Sequence, residues 1–189
     1  MNNKKECPTG ECPPMNEKVN PDVVKLSEGS GGKEMHRLIS EIAGYLNQGK
    51  WKHTDEDSAS LTINDKNLLF TTDSYVVTPL FFPGGNIGKI AFCGTVNDLS
   101  VMGAKPLGIS LGLIIEEGFS KDDLLTIIKT IGELSKVTGI PVVTGDTKVM
   151  EKGSVDKIII NTSGVGMADF ILDKPLRAGD KIIVSGGVG

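Results

Sequence analysis

The chain has 189 residues, enough for one sizeable domain or for one domain and part of another. Its 39% hydrophobic and 23% charged residues are ordinary for a globular protein, and a net charge of −4 argues against a broad nucleic-acid-binding face. No apolar run approaches the roughly 20 residues that cross a bilayer. The start, MNNKKECPTGECPP, lacks the apolar middle of a secretory signal, so neither membrane insertion nor export is expected and the expected location is the cytoplasm.

Residues 1–20 read as a flexible tail. It holds Cys7 and Cys12, two thiolates that do not fill a tetrahedral zinc site on their own. With Cys93 the total is three, which gives no disulfide framework. Val23, Val24 and Leu26 suggest a short strand before the loop Ser27-Glu28-Gly29-Ser30-Gly31-Gly32. Met35, Leu38, Ile39, Ile42 and Leu46 then recur at helical spacing, which predicts a helix over residues 33–46. Two strands, near 58–63 and 67–72, flank Asn64-Asp65, the composition of a hairpin turn.

A Pro/Gly loop over 78–86 leads into a helix predicted over 87–102, with Cys93 packed in the core. Leu107, Ile109, Leu111 and Leu113 alternate with Gly108, Ser110 and Gly112, the pattern of a strand with one buried face. Ser120 can cap the next helix, Asp122 and Asp123 suit its positive end, and Gly139 with Pro141 ends it. Strands are expected over 141–144 and 157–165, a linker over 172–180, and a further strand over 181–185. Together these elements predict an α+β domain, a mostly antiparallel sheet with helices on one face. The domain is placed at residues 21–170; residues 171–189 are read as a linker and the first strand of a second, incomplete domain.

Acidic residues recur beside predicted strand ends: Asp57 before one strand, Asp73 and Asp146 after others, with Asn97-Asp98 late in the central helix. Carboxylates from separate segments can meet in one cleft and offer hard oxygen ligands to Mg2+, which also takes oxygens from phosphates. Asp and Asn also end strands because they make good turns, so each residue alone carries both readings. Gly29, Gly31 and Gly32 open one helix, and Gly84, Gly85 and Gly88 flank the start of another. Backbone N–H groups at such ends can hold phosphate oxygens, although neither run is a P-loop. Lys148, two residues beyond Asp146, could neutralise phosphate charge or handle a proton; the plain alternative is a surface lysine.

The run Thr71-Thr72-Asp73-Ser74-Tyr75-Val76-Val77-Thr78-Pro79-Leu80-Phe81-Phe82-Pro83-Gly84-Gly85-Asn86-Ile87-Gly88-Lys89 continues through Gly94-Thr95-Val96-Asn97-Asp98-Leu99 and Val143-Thr144-Gly145-Asp146-Thr147-Lys148. It resembles the HypE family of hydrogenase-maturation carbamoyl dehydratases, within the wider aminoimidazole ribonucleotide synthetase-like ATP enzymes. The resemblance implies a homodimer whose amino-terminal domains pair their sheets. It implies ATP and Mg2+ nearby, with Asp57, Asp73, Asp98 and Asp146 matching the family's acidic positions. It also implies that Asn97 and Gly145 lie at the site and that Gly29, Gly31 and Gly32 belong to a segment covering the nucleotide. The implied reaction uses ATP to phosphorylate the amide oxygen of a carboxy-terminal cysteine S-carboxamide. Loss of phosphate and a proton leaves a thiocyanate, a source of cyanide ligands for nickel–iron hydrogenase. Lys148 is the candidate for charge stabilisation, and the implied partners are a carbamoyltransferase and scaffold proteins. A carboxy-terminal cysteine is absent from these 189 residues, so the chain alone is expected not to complete that reaction.

Overall fold

The computed structural model describes residues 23–184, 186 and 187. Cys7 and Cys12, and the tail expected over 1–20, lie outside the described residues. The chain divides into two compact units at residues 47 and 48.

In the first unit the strand expected at Val23–Leu26 is replaced by a 3-10 turn, Leu26–Gly29. Glu28 Oε2 accepts from the backbone N–H of Lys25 at 2.7 Å, and this local bond closes a turn where a strand would need a neighbour. Helix α1, Gly32–Ala43, follows the predicted apolar stripe but ends three residues early and buries none of its side chains within the chain.

The second unit is built on a five-stranded sheet. Strands β1 (Ala59–Ile63) and β2 (Lys66–Tyr75) form the predicted hairpin, and Asn64 and Asp65 both take positive φ, as a two-residue type I′ turn requires. Residues 78–86, expected to be loop throughout, contain the two-residue strands β3 (Phe81–Phe82) and β4 (Gly85–Asn86), paired with each other. Helix α2 (Ile87–Val101), strand β5 (Lys105–Glu116), helix α3 (Lys121–Thr138), strand β6 (Val142–Met150) and strand β7 (Ile158–Ala168) complete the unit. The sheet order is β1-β2-β7-β5-β6. Only the outer β5–β6 pair is parallel, because α3 carries the chain back to the same end of the sheet. Residues 181–184, expected as a strand, have no sheet neighbour among the described residues and form none.

β7 shows why one face of the sheet is covered. Ile158, Ile160, Thr162, Gly164, Gly166 and Ala168 are buried, and the residues between them are half-exposed. The buried set meets α2, whose Ile87, Ala91, Phe92 and Leu99 are almost wholly enclosed, and α3 adds Ile127 and Ile131. Each such aliphatic side chain contributes roughly 1.5–3 kcal/mol by leaving water. α2 and α3 cross closely where Gly88 lacks a side chain: a Cβ there would lie 2.8 Å from the carbonyl oxygen of Ile127.

Both helices are capped as their sequences demand. Ser120 Oγ accepts from Asp123 N at 3.2 Å, and Gly139 ends α3 with φ of 73°. Asn86 caps α2: its Oδ1 accepts from Gly88 N at 2.9 Å and Lys89 N at 3.2 Å, while its Nδ2 donates to Thr130 Oγ1 on α3 at 2.9 Å.

Candidate functional site

The side chains of β2 alternate, so Leu69, Thr71, Asp73 and Tyr75 share the face toward α2. Asp73 and Tyr75 are half-buried there, and Thr71 is buried. Asp98 comes from α2 to meet them. Ser58 Oγ, at the entry to β1, donates to the carbonyl of Asp98 at 2.9 Å and ties that turn of the helix to the sheet. Thr71 Oγ1 donates to Asp98 Oδ2 at 3.2 Å, and Tyr75 donates its phenol proton to Asp73 Oδ2 at 2.8 Å.

Burial pushes the Asp98 carboxyl up to about 6, and the adjacent charge of Asp73 adds to the rise. The hydrogen bond from Thr71 pulls the other way, while the weaker influence of the Asp57 charge raises it further. The Tyr75 phenol is also raised, chiefly by burial, and is held as a donor. Two carboxylates within each other's field at a half-dry surface are unfavourable unless a proton or a cation lies between them.

Asp57, Asp73 and Asp98 are thus brought within electrostatic reach of one another. Asp146 and Lys148 are placed elsewhere. Both lie inside β6, not beyond a strand end, because pairing with β5 continues to Met150. The register sets Asp146 beside Gly112, and Gly112 faces Asn161 on the sheet surface opposite Asp73. β6 stands three strand spacings from β2, roughly 14 Å at about 4.8 Å each. Asp73 likewise lies within its strand, two residues before the end. The fourfold convergence of acids expected from the sequence is therefore not formed: among the described residues no group of three or more acidic, His or Cys side chains is spaced to hold a metal.

Asn97 is exposed beside Asp98, and Gly145 lies against Leu111 on the edge strand. Gly31 and Gly32 take positive φ at the start of α1, and Gly29 ends the 3-10 turn before it; all three belong to the first unit. The start of α2 offers no phosphate cradle. Its Gly88 and Lys89 N–H groups bind Asn86 Oδ1, and Ile87 N binds the carbonyl of Leu80. Cys93 is half-buried against the main core, as expected. A cavity of about 570 Å3 opens between Thr78–Phe81 and the turn after β5, but none of the four acids lines it.

Thr71 and Tyr75 carry part of the site and were not singled out from the sequence. The signal that identifies them is period-two spacing from Asp73 along one strand.

The family described as AIR synthase related protein, N-terminal domain, matches residues 55–168. The chain belongs to that family. Within this AIR synthase-related group it is similar to the carbamoyl dehydratase HypE of Escherichia coli K12, with 43% identity over 88% of this chain and 52% of that protein. Among solved structures it is similar to the HypE–HypF complex at TM-score 0.62 and 50% identity, covering 69% of this chain and 42% of that one. It is also similar to HypE in complex with ATP at TM-score 0.54 and 42% identity, covering 77% and 43%. The chain spans about half the length of the curated relatives it matches. The AIR synthase-related assignment accounts for the mixed sheet with its helices. Among the described residues no helix is long and apolar enough to cross a membrane.

Proposed function

We propose that this chain is the nucleotide-binding half of a cytoplasmic carbamoyl dehydratase that uses Mg-ATP to dehydrate a cysteine S-carboxamide to a thiocyanate for hydrogenase maturation. The observation that carries the reading is the Asp73–Asp98 pair, brought together at the sheet–helix junction by the hydrogen bonds of Ser58, Thr71 and Tyr75. The likeness to HypE in complex with ATP supports a nucleotide as the ligand.

The donor set fits magnesium. This cation is characteristically bound by one or two carboxylates together with phosphate oxygens, not by an all-protein cage. Asp73 and Asp98 supply those carboxylates, and Asp57 adds negative charge from the loop before β1. Bound there, magnesium supplies screening of the triphosphate charge. Thr71 fixes one oxygen of Asp98 and Tyr75 one oxygen of Asp73, so the remaining oxygens keep a set direction. Asp146 and Lys148 face the other side of the sheet and are left out of this cation site.

A homodimer is part of the reading. The uncovered sheet face carries Phe70, Val143, Val165 and Met167, with Phe70 41% and Val143 63% exposed, an apolar surface suited to a second sheet. A carbamoyltransferase is the proposed donor partner, supported by the likeness to the HypE–HypF complex, and scaffold proteins are the proposed acceptors.

Thermal stabilisation by ATP, measured with and without Mg2+, tests the proposal. Stabilisation that needs the metal and disappears in Asp73→Asn and Asp98→Asn is expected. Equal melting temperatures with and without Mg-ATP overturn it.

A further inference from the structure

We propose that Tyr75 is a positioning residue for the cation site, aiming the Asp73 carboxylate, and that Gly94 is the residue that admits it. This rests on the reading of Asp73 and Asp98 as the magnesium pair.

A carboxylate on a strand turns freely about two side-chain bonds, and a cation gains most from a carboxylate whose direction is already fixed. Tyr75 supplies that constraint. It lies two residues beyond Asp73 on the same face of β2 and donates to Oδ2 at 2.8 Å. Oδ2 is thereby engaged, and Oδ1 is the oxygen left to coordinate. The phenol is itself anchored. Its ring packs against the main core beside Gly94, and at the next residue of α2 Thr95 Oγ1 lies 2.5 Å from Thr162 Oγ1, which donates to the carbonyl of Ala91 at 3.2 Å. Thr95 and Thr162 are both fully buried, so α2 is bonded to β7 in the rigid core at the residue next to Gly94.

Gly94 completes the arrangement. It sits in the interior of α2, where glycine costs about 1 kcal/mol relative to alanine. A Cβ there would lie 3.0 Å from Tyr75 Cζ and 3.2 Å from Cε1, and would overlap the phenol oxygen outright. A side chain at position 94 and a phenol on Asp73 therefore exclude one another.

The test is the Mg2+ concentration giving half-maximal ATP binding, measured by calorimetry, for wild type, Tyr75→Phe, Gly94→Ala and Asp73→Asn. Tyr75→Phe keeps the ring and loses the donor. We expect it to melt within a few degrees of wild type without ligand and to need about tenfold more Mg2+, the effect of one hydrogen bond to a charged group. Gly94→Ala, which displaces the hydroxyl without removing it, is expected to shift the Mg2+ requirement in the same direction. An unchanged Mg2+ requirement in both variants, with Asp73→Asn impaired, overturns the inference and leaves the magnesium pair standing. Metal-independent behaviour of the wild type removes both.

Discussion

Asp98 on α2 faces Asp73 on β2, and burial together with the Asp73 charge lifts the Asp98 carboxyl to about 6. A raised acid pKa means that the folded chain holds a proton the unfolded chain releases near 4. Its contribution to stability is fully present below about 4 and is lost as pH rises through about 6. Asp98→Asn removes that penalty. Denaturant unfolding at pH 7.5 without magnesium is expected to show the variant more stable by on the order of 1 kcal/mol, after allowance for solvent screening. The difference is expected to vanish at pH 4.

Asn86→Ala takes away the α2 cap and leaves Thr130 without its α3-to-α2 bond. The expected loss is about 2 kcal/mol, combining a cap with a buried hydrogen bond. Urea unfolding measures it, and nucleotide affinity is expected to stay close to wild type because no phosphate contact is lost.

Two glycines in neighbouring helices should respond oppositely to alanine. At Gly88 a Cβ meets the Ile127 carbonyl oxygen at 2.8 Å and Ile127 Cγ2 at 2.9 Å, so the helix crossing must widen at a cost of about 1–3 kcal/mol. At Gly132 a Cβ meets nothing within 4 Å, and helix propensity should stabilise by up to about 1 kcal/mol. Paired melting curves of Gly88→Ala and Gly132→Ala distinguish packing from propensity.

Val143→Glu places a charge on the uncovered face of the sheet, where the valine is 63% exposed. It is expected to leave the secondary structure intact and to convert the proposed dimer to a monomer in light-scattering measurements at micromolar concentration. An unaltered dimer would show that this face is not the interface.

The sequence disclosed elements whose signals are local. The α3 cap at Ser120, its stop at Gly139 and the Asn64-Asp65 hairpin all lie where their side chains demand. Strand ends were less legible. β6 runs on through Gly145, Asp146 and Lys148 because β5 beside it supplies hydrogen bonds, a long-range cause that turn-forming residues cannot report. That extension sends Asp146 to the opposite face from Asp73, since each added residue reverses the side-chain direction. Asp73 and Asp98 could be singled out as acids, but their contact depends on where α2 crosses β2, and the buried Ser58 bond that sets it has no periodic signature. Tyr75 stands in the same run as Asp73, but nothing in the sequence marks its hydroxyl as the donor to that carboxylate.

β6 forms the outer margin of the sheet among the described residues, with β5 as its neighbour on one side and nearly all of its length open to solvent on the other. Nine consecutive residues there present a ready backbone template. Asp146 and Lys148 put alternating charge along that rim, the kind of edge that disfavours docking by a further strand. Neutralising both together would trade this protection for a propensity to self-assemble edge to edge.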